Sequence, residues 1–381
     1  MSSSQANTAT GTTNANIITD ARPAPPPGQG DAAQSTFTAM TQFTQTLLDP
    51  FVGGRSATVA PQAYADDRFD PNAYAGGATR GGLDREVSAA IYGKALVNGA
   101  AYAPHWNSWA SGAGGAPFSG GGAMQGSSQA GSRMFGTVVG TDYSLSPQTT
   151  AGFAMGGGGG ANFGSSSFGG GSRSDLFQAG AFLRHTDGQA YVAGALAYGW
   201  QAMSNERMPF AGGDRLNAEV GATAYTGRVE GGYHFATPWL GIAAYAAGQV
   251  TSFNLPAVGD QAMPGANPFA SAFGAVNAVD GRSELGMRTS KSFDLLNGLL
   301  TLRGRFAWVH DFNANAATSG APPPPPGSNL PGLVQSPNAA LTGASAELRW
   351  SNGWLAAATF ESEFSGMARS FTGRGVVRYG W

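Results

Sequence analysis

The chain has 381 residues, of which 59 are glycine and only 12% are charged, about half the charged share usual in a soluble domain. A net charge of −2 offers no basic surface, so no nucleic-acid partner is expected. No run of about 18 apolar residues occurs, which excludes a transmembrane helix, but a mean hydropathy of −0.15 is compatible with a transmembrane barrel, in which only alternate strand residues are apolar.

Residues 1–33 lack a secretory signal peptide. Met1-Ser-Ser-Ser-Gln has neither a basic start nor an apolar stretch. Rich in Thr, Asn and Ala and ending near Pro23-Ala-Pro-Pro-Pro27, the segment reads as a flexible linker or a truncated passenger end. Residues 34–101 hold two helical candidates. Ser35–Leu48 puts Phe37, Met40, Thr44 and Leu47 on one side and uncharged Thr and Gln on the other, and Asp49-Pro50 ends it. In Asp84–Val97, Leu83, Val87, Ile91 and Ala95 recur every four residues. Asp84 and Glu86 suit its first turn, and Lys94 its last.

From Tyr102 onward the period becomes two, that of strands. Twelve strands are predicted, at 102–113, 131–143, 149–158, 173–186, 189–202, 219–235, 239–253, 280–293, 299–312, 341–351, 354–364 and 369–381. In the ninth, Leu300, Leu302, Phe306, Trp308 and Phe312 share a face, while Thr301, Arg303, Arg305 and Asp311 share the other. In the eighth, Arg282, Glu284, Arg288 and Ser290 oppose Leu285, Met287 and Phe293. In the fifth, Val192, Leu196, Tyr198 and Trp200 align. In the eleventh, Trp354, Phe360 and Phe364 oppose Thr359, Glu361 and Glu363. In the last, Phe371, Val377, Tyr379 and Trp381 oppose Ser370, Thr372, Arg374 and Arg378.

Connections after even-numbered strands are short, including Asp187-Gly188 and Asn352-Gly353, which are hairpin-turn pairs. Those after strands one, three, five, seven and nine are long and rich in Gly or Pro, as in 114–130, 254–279 and 313–340. Such sorting is expected of an outer-membrane barrel, with short periplasmic turns and longer external loops. Aromatics gather near strand ends, at Trp106 and Trp109, Trp200, Phe235 and Trp239, Trp308, Trp350 and Trp354, and Tyr379 and Trp381, as at a lipid–water interface. The fold class is therefore all-β, a twelve-stranded antiparallel transmembrane barrel.

No catalytic or metal constellation is found. His105, His185, His234 and His310 fall on four different strands without ligand spacing. No G-x-S-x-G elbow occurs, and the glycines at 156–160 and 169–171 lack a phosphate-loop Lys. Glu284 with Arg282, and Glu361 with Glu363, form i, i+2 pairs on single strand faces. A barrel enzyme would use such a pair as a catalytic dyad. A charged lumen wall is the plainer reading, with Arg282, Glu284, Arg288, Arg303, Arg305, Glu361 and Glu363 facing inward. No enzyme activity and no cofactor are expected.

Five motifs carry a family resemblance. They are Trp106-Asn-Ser-Trp109-Ala-Ser-Gly-Ala-Gly114, Gly136-Thr-Val-Val-Gly140-Thr-Asp-Tyr, Glu230-Gly-Gly-Tyr233-His-Phe, Ser283-Glu-Leu-Gly286 and the closing Arg378-Tyr379-Gly-Trp381. In that order, they make 102–381 resemble the autotransporter (type V secretion) translocator β-barrel domain. Phe43 to Arg55 resembles the stretch before such barrels. The resemblance implies a helix through the pore, residence in the cell outer membrane among its lipids, and export or anchoring of an N-terminal passenger at the cell surface. It also implies a membrane-insertion signal in the last strand (Phe371, Val377, Tyr379, Trp381), read by the outer-membrane barrel insertion machinery. The alternatives are a general diffusion porin, which needs nothing in 34–98, and a soluble β-rich structural protein, which needs no detergent. Because a barrel this wide is not filled by side chains alone, a plug is expected. Asp84–Val97, through Leu83, Val87, Ile91 and Lys94, is preferred over Ser35–Leu48 for its short tether to the first strand.

Overall fold

The computed structural model describes residues 29–49, 106–119, 131–163, 170–207, 216–235, 237, 239–259, 261–262, 272–273, 275–313, 336–366 and 368–379. A helix, α1 (Gln29–Leu48), comes first. Twelve long strands follow: β1 (Trp106–Ser119), β2 (Gly131–Ser144), β3 (Thr149–Phe163), β4 (Gly170–Asp187), β5 (Ala190–Arg207), β6 (Leu216–Phe235), β7 (Gly241–Leu255), β11 (Val276–Leu295), β12 (Gly298–Asp311), β13 (Asn338–Trp350), β14 (Trp354–Ser365) and β15 (Ala368–Tyr379). Between β7 and β11 lie three two-residue pieces, β8 (Val258–Gly259), β9 (Gln261–Ala262) and β10 (Ala272–Phe273).

Each long strand pairs antiparallel with its neighbour in the chain, and β15 pairs with β1 from Ser108↔Tyr379 to Ser119↔Ala368. The sheet therefore closes into a twelve-stranded antiparallel barrel. Closure leaves no free edge, which a sheet in lipid requires. One rim carries the short turns, with Gly188 and Gly353 at φ 57° and 90°, a conformation that costs glycine little. Both ends of the ring, Trp106 and Tyr379, lie at this rim. The long connections lie at the other rim. The last hairpin departs from this sorting, because only Gly366 and Met367 join β14 to β15 at the long-loop rim. Several strands also run further toward that rim than their apolar alternation predicts, to Ser119, Phe163 and Arg207.

The outer face is apolar. Phe135, Leu196, Val229, Leu285, Phe306 and Trp308 are exposed, Leu196 to 73%. A soluble protein does not leave so continuous an apolar belt in water. Toward the short-turn rim the belt ends in aromatics: Trp106 against Tyr143 (ring centroids 4.7 Å apart), Trp354 against Tyr379 (5.0 Å), and Tyr233 against Phe235 (4.9 Å). From Trp354 to the outward Phe364 is roughly ten residues, or ~33 Å of strand. At a tilt of ~40° this spans ~25 Å of membrane, the height of an apolar band. Trp109 departs from the interfacial expectation. It is buried on the lumen side, where its Nε1 donates to Asp142 Oδ1 at 2.9 Å. It sits three residues from the outward Trp106, and an odd step along a strand reverses the face. A barrel closed by so many backbone bonds should keep its shape in detergent: residues 29–381 refolded in micelles should run faster on an unheated gel than after boiling. Monodispersity in plain buffer would contradict the lipid-facing belt.

Candidate functional site

The lumen is divided into two arcs of different chemistry. The first is small and apolar, formed by the inward residues of β2 to β6, among them Ala154, Ala193, Ala195, Ala197 and Ala224. α1 packs on this arc through Met40, Phe43 and Leu47, all buried. A Cβ at Gly199 would lie 2.6 Å from Met40 Sδ, and one at Gly180 2.9 Å from Leu47 Cδ1, so glycine lets the helix lie against the wall. Burying side chains of this size is worth about 1.5–3 kcal/mol each.

From Thr36 to Leu48, α1 carries no charged residue. Thr44 and Thr46 donate to the carbonyls of Met40 (2.9 Å) and Gln42 (2.8 Å), which satisfies each hydroxyl within the helix. Gln249 Nε2 donates to Thr41 Oγ1 at 2.7 Å, and Thr36 bonds Gln201. The helix has a direction. Phe37 meets Phe253 (6.1 Å) near the long-loop end of β7, whereas Leu47 meets Gly180 in the short-turn half of β4. The N-terminus of α1 therefore faces the long-loop rim.

The second arc is charged and is formed by β6, β7 and β11 to β15. Arg288 grips Glu230 through both nitrogens (2.6 and 2.9 Å) and donates to Tyr191 Oη (2.6 Å). Arg228 joins Glu230 (3.3 Å) to Glu284 (2.8 Å). Glu284 also accepts from Arg305 and Tyr245, and Arg305 continues to Glu361 at 2.7 Å. Arg303 binds Glu347 (3.0 Å), and Arg282 binds Glu363 and Asp311. The chain of charges ends just past α1, where Arg374 holds Asp49 at 3.0 Å. Arg228 and Glu284 are each 2% exposed. Pairs this buried are held in a low dielectric, where losing one partner is costly.

All seven charged residues singled out from the sequence, Arg282, Glu284, Arg288, Arg303, Arg305, Glu361 and Glu363, lie on the inner face and join ion pairs. Phe371, Val377 and Tyr379 share the outer face of β15, while Arg374 and Val376 turn inward; Trp381 lies outside the described residues. So do Leu83, Val87, Ile91 and Lys94, the segment preferred as plug. The helix seated against the barrel wall is the other candidate, extended by six residues to Gln29. Sequence reading missed Arg228, Tyr191, Tyr245 and Glu347 as lumen groups. Strand parity offers a signal for them, since Arg228 and Glu230 stand at i, i+2 like the pairs that were noticed.

A family profile, "Autotransporter beta-domain", matches residues 108–361. The chain belongs to this family. No curated protein matches it. Among solved structures, the translocator domain of autotransporter NalP from Neisseria meningitidis is similar, with a TM-score of 0.59 and 17% identity over 78% of this chain and 94% of that one. The β domain of the Bordetella autotransporter BrkA is also similar, with a TM-score of 0.54 and 16% identity over 72% of this chain and 99% of that one. At such identities these structures support the fold. Autotransporter translocator domains are outer-membrane barrels that export a passenger, and this barrel is a translocator of that kind. Family and fold are those of translocator barrels, not of known enzymes. The motif residues of the resemblance take structural roles in the autotransporter lumen. Trp109 and Asp142 bond to each other, and Glu230 and Glu284 are the two carboxylates at the centre of the charged arc.

Proposed function

We propose that this barrel delivers a passenger joined to the N-terminal side of α1, from the short-turn rim to the long-loop rim, and afterwards holds α1 as its plug. The orientation of α1 carries this reading. Its N-terminus faces the rim of long connections, which in outer-membrane barrels is the external one, so whatever precedes it is delivered to the cell surface. A diffusion porin has no use for a helix buried along one wall. The chain acts without chemistry, by closing and lining a conduit. To test the direction, a signal peptide and an epitope are placed ahead of Gln29 and the chain is expressed in a Gram-negative cell. The epitope should be labelled by antibody on intact cells and shaved by added protease. An epitope reached only after the outer membrane is broken would refute the direction.

The outward row of β15, Phe371, Val377 and Tyr379, with Trp381 completing the period-two pattern, is the segment we assign to recognition by the barrel insertion machinery. It is supported by the aromatic end of the strand and by the outward exposure of Val377 and Tyr379. Recognition affects assembly and not the stability of the finished barrel. Trp381→Ala should lower the amount inserted in cells several-fold while leaving refolding in detergent unchanged. Equal insertion of variant and parent would remove this role.

A further inference from the structure

The β1–β15 pairing is where the ring closes, joining first strand to last without a connecting turn. Midway along it, between Val377 and Phe371, the lipid face has little side-chain substance. Gly112 and Gly375 are register partners, and a Cβ at either would meet nothing within 4 Å. Gly114 and Gly373 are also partners, and a Cβ at either would meet only a backbone oxygen, at 3.7 and 4.0 Å. Outside, backbone bonds hold this joint with little cross-strand side-chain packing, the usual second source of sheet stability.

Inside, α1 bridges the joint. Gln42 Nε2 donates to Thr372 Oγ1 on β15 at 3.0 Å. The same nitrogen lies 3.4 Å from where a Cβ of Gly115 on β1 would sit. Gly115 and Thr372 are register partners across the seam, so one amide of the helix rests over both strands. One turn on, Arg374 of β15 donates to Thr46 Oγ1 at 2.9 Å, and it pairs with Asp49 at 3.0 Å. Gln42, Thr46 and Asp49 stand at i, i+4 and i+7, a single helix stripe. Thr372 and Arg374 stand at i, i+2, a single strand face. The two spacings match, and these side chains are distinct from the Met40, Phe43 and Leu47 stripe that seats the helix on the opposite arc.

We infer that docked α1 is an internal clasp on the closing seam, so that seating the helix and tightening the β1–β15 joint are one coupled equilibrium. By reciprocity, whatever holds α1 out of its seat loosens the seam. The functional consequence rests on the export reading above: a chain still crossing the lumen keeps the clasp open, and the joint tightens when α1 arrives. The coupling itself is measurable without export.

The test is hydrogen exchange on the full chain in detergent micelles, comparing the parent with Gln42→Ala/Thr46→Ala/Asp49→Ala. The triple variant keeps the apolar stripe, and Arg374 keeps Glu361. Amides of β1 and β15 should exchange on the order of ten-fold faster, the scale of a few lost hydrogen bonds, while those between β4 and β5 stay as in the parent. Should the triple variant fail to fold, Thr372→Val alone removes the partner of Gln42. It should speed the same amides about two- to five-fold. The chain has no cysteine, so a Gly112→Cys/Gly375→Cys pair oxidised across the seam reports selectively. It should return the variant's heat-modifiability to that of the cross-linked parent. Unchanged seam exchange, equal acceleration in all twelve strands, or no rescue by the cross-link would each overturn the clasp.

Discussion

Glu284→Ala should cost the barrel about 3–5 kcal/mol of unfolding free energy, the scale of leaving buried charges without a partner. Glu284 is 2% exposed and accepts from Arg228, Arg305 and Tyr245. Its removal leaves the buried guanidiniums of Arg228 and Arg305 without the carboxylate they share. The contrast is Arg349, whose pair with Glu347 is looser at 3.7 Å and whose side chain is 30% exposed. Arg349→Ala should change stability by less than about 1 kcal/mol. Both are read by denaturant unfolding in micelles, followed by tryptophan fluorescence. The double variant Arg228→Met/Glu284→Leu should cost less than the sum of its singles, because Arg305 keeps Glu361 and Glu230 keeps Arg288. Raising salt should change the cost little, since the pairs are shielded from the ionic atmosphere. Additive singles, or a Glu284→Ala cost near that of Arg349→Ala, would mean that the charged arc does not act as one network.

The barrel was legible where lipid imposes alternation. In β12, Leu302, Phe306 and Trp308 face out while Thr301 and Arg305 turn in, because each strand meets lipid on one side and a polar lumen on the other. Beyond the apolar band that constraint ends, so the outer parts of β3, β5 and β6 pair without an apolar pattern to announce them. The inward position of each charge followed from parity, but its partner did not. Arg305 on β12 reaches Glu361 on β14, and Arg282 on β11 reaches Glu363 on β14, over one and two intervening strands, because the inward curve of the wall turns these side chains toward one another.

The seat of α1 was less legible, for a physical reason. Asp84–Val97 offered charges to a wall read as charged. That wall is only half the lumen. The other half is largely alanine and glycine on β2 to β6, with Gln178 and Gln201 among them, which in sequence look like weak strand residues and in the barrel make a groove. Such a groove selects a helix with an apolar stripe and hydroxyls that bond to its own backbone, as Thr44 and Thr46 do. Gln29 to Ser35 has no apolar period, so the first turns of α1 gave no signal.

Replacing residues 29–49 by a Gly/Ser linker should turn a nearly silent barrel into a conducting one in planar bilayers. A helix with its side chains is about 10–12 Å across, so its removal frees a water column of about that bore along the alanine and glycine arc. The ion pairs of the opposite arc are anchored strand to strand, and Arg374, which loses Asp49, keeps Glu361, so the wall should not collapse into the space. Gly199→Phe offers the same result without a deletion. The space over Gly199 is filled by Met40, and a ring there must push α1 from its seat, giving intermediate and fluctuating conductance. Met40→Gly in the same chain should quiet it again by making room for the ring. A linker in place of 83–98 should leave conductance near the parent's, because the groove is already occupied. If that replacement opens the channel and the 29–49 replacement does not, the plug is the later segment and the contacts of α1 are not what closes the pore.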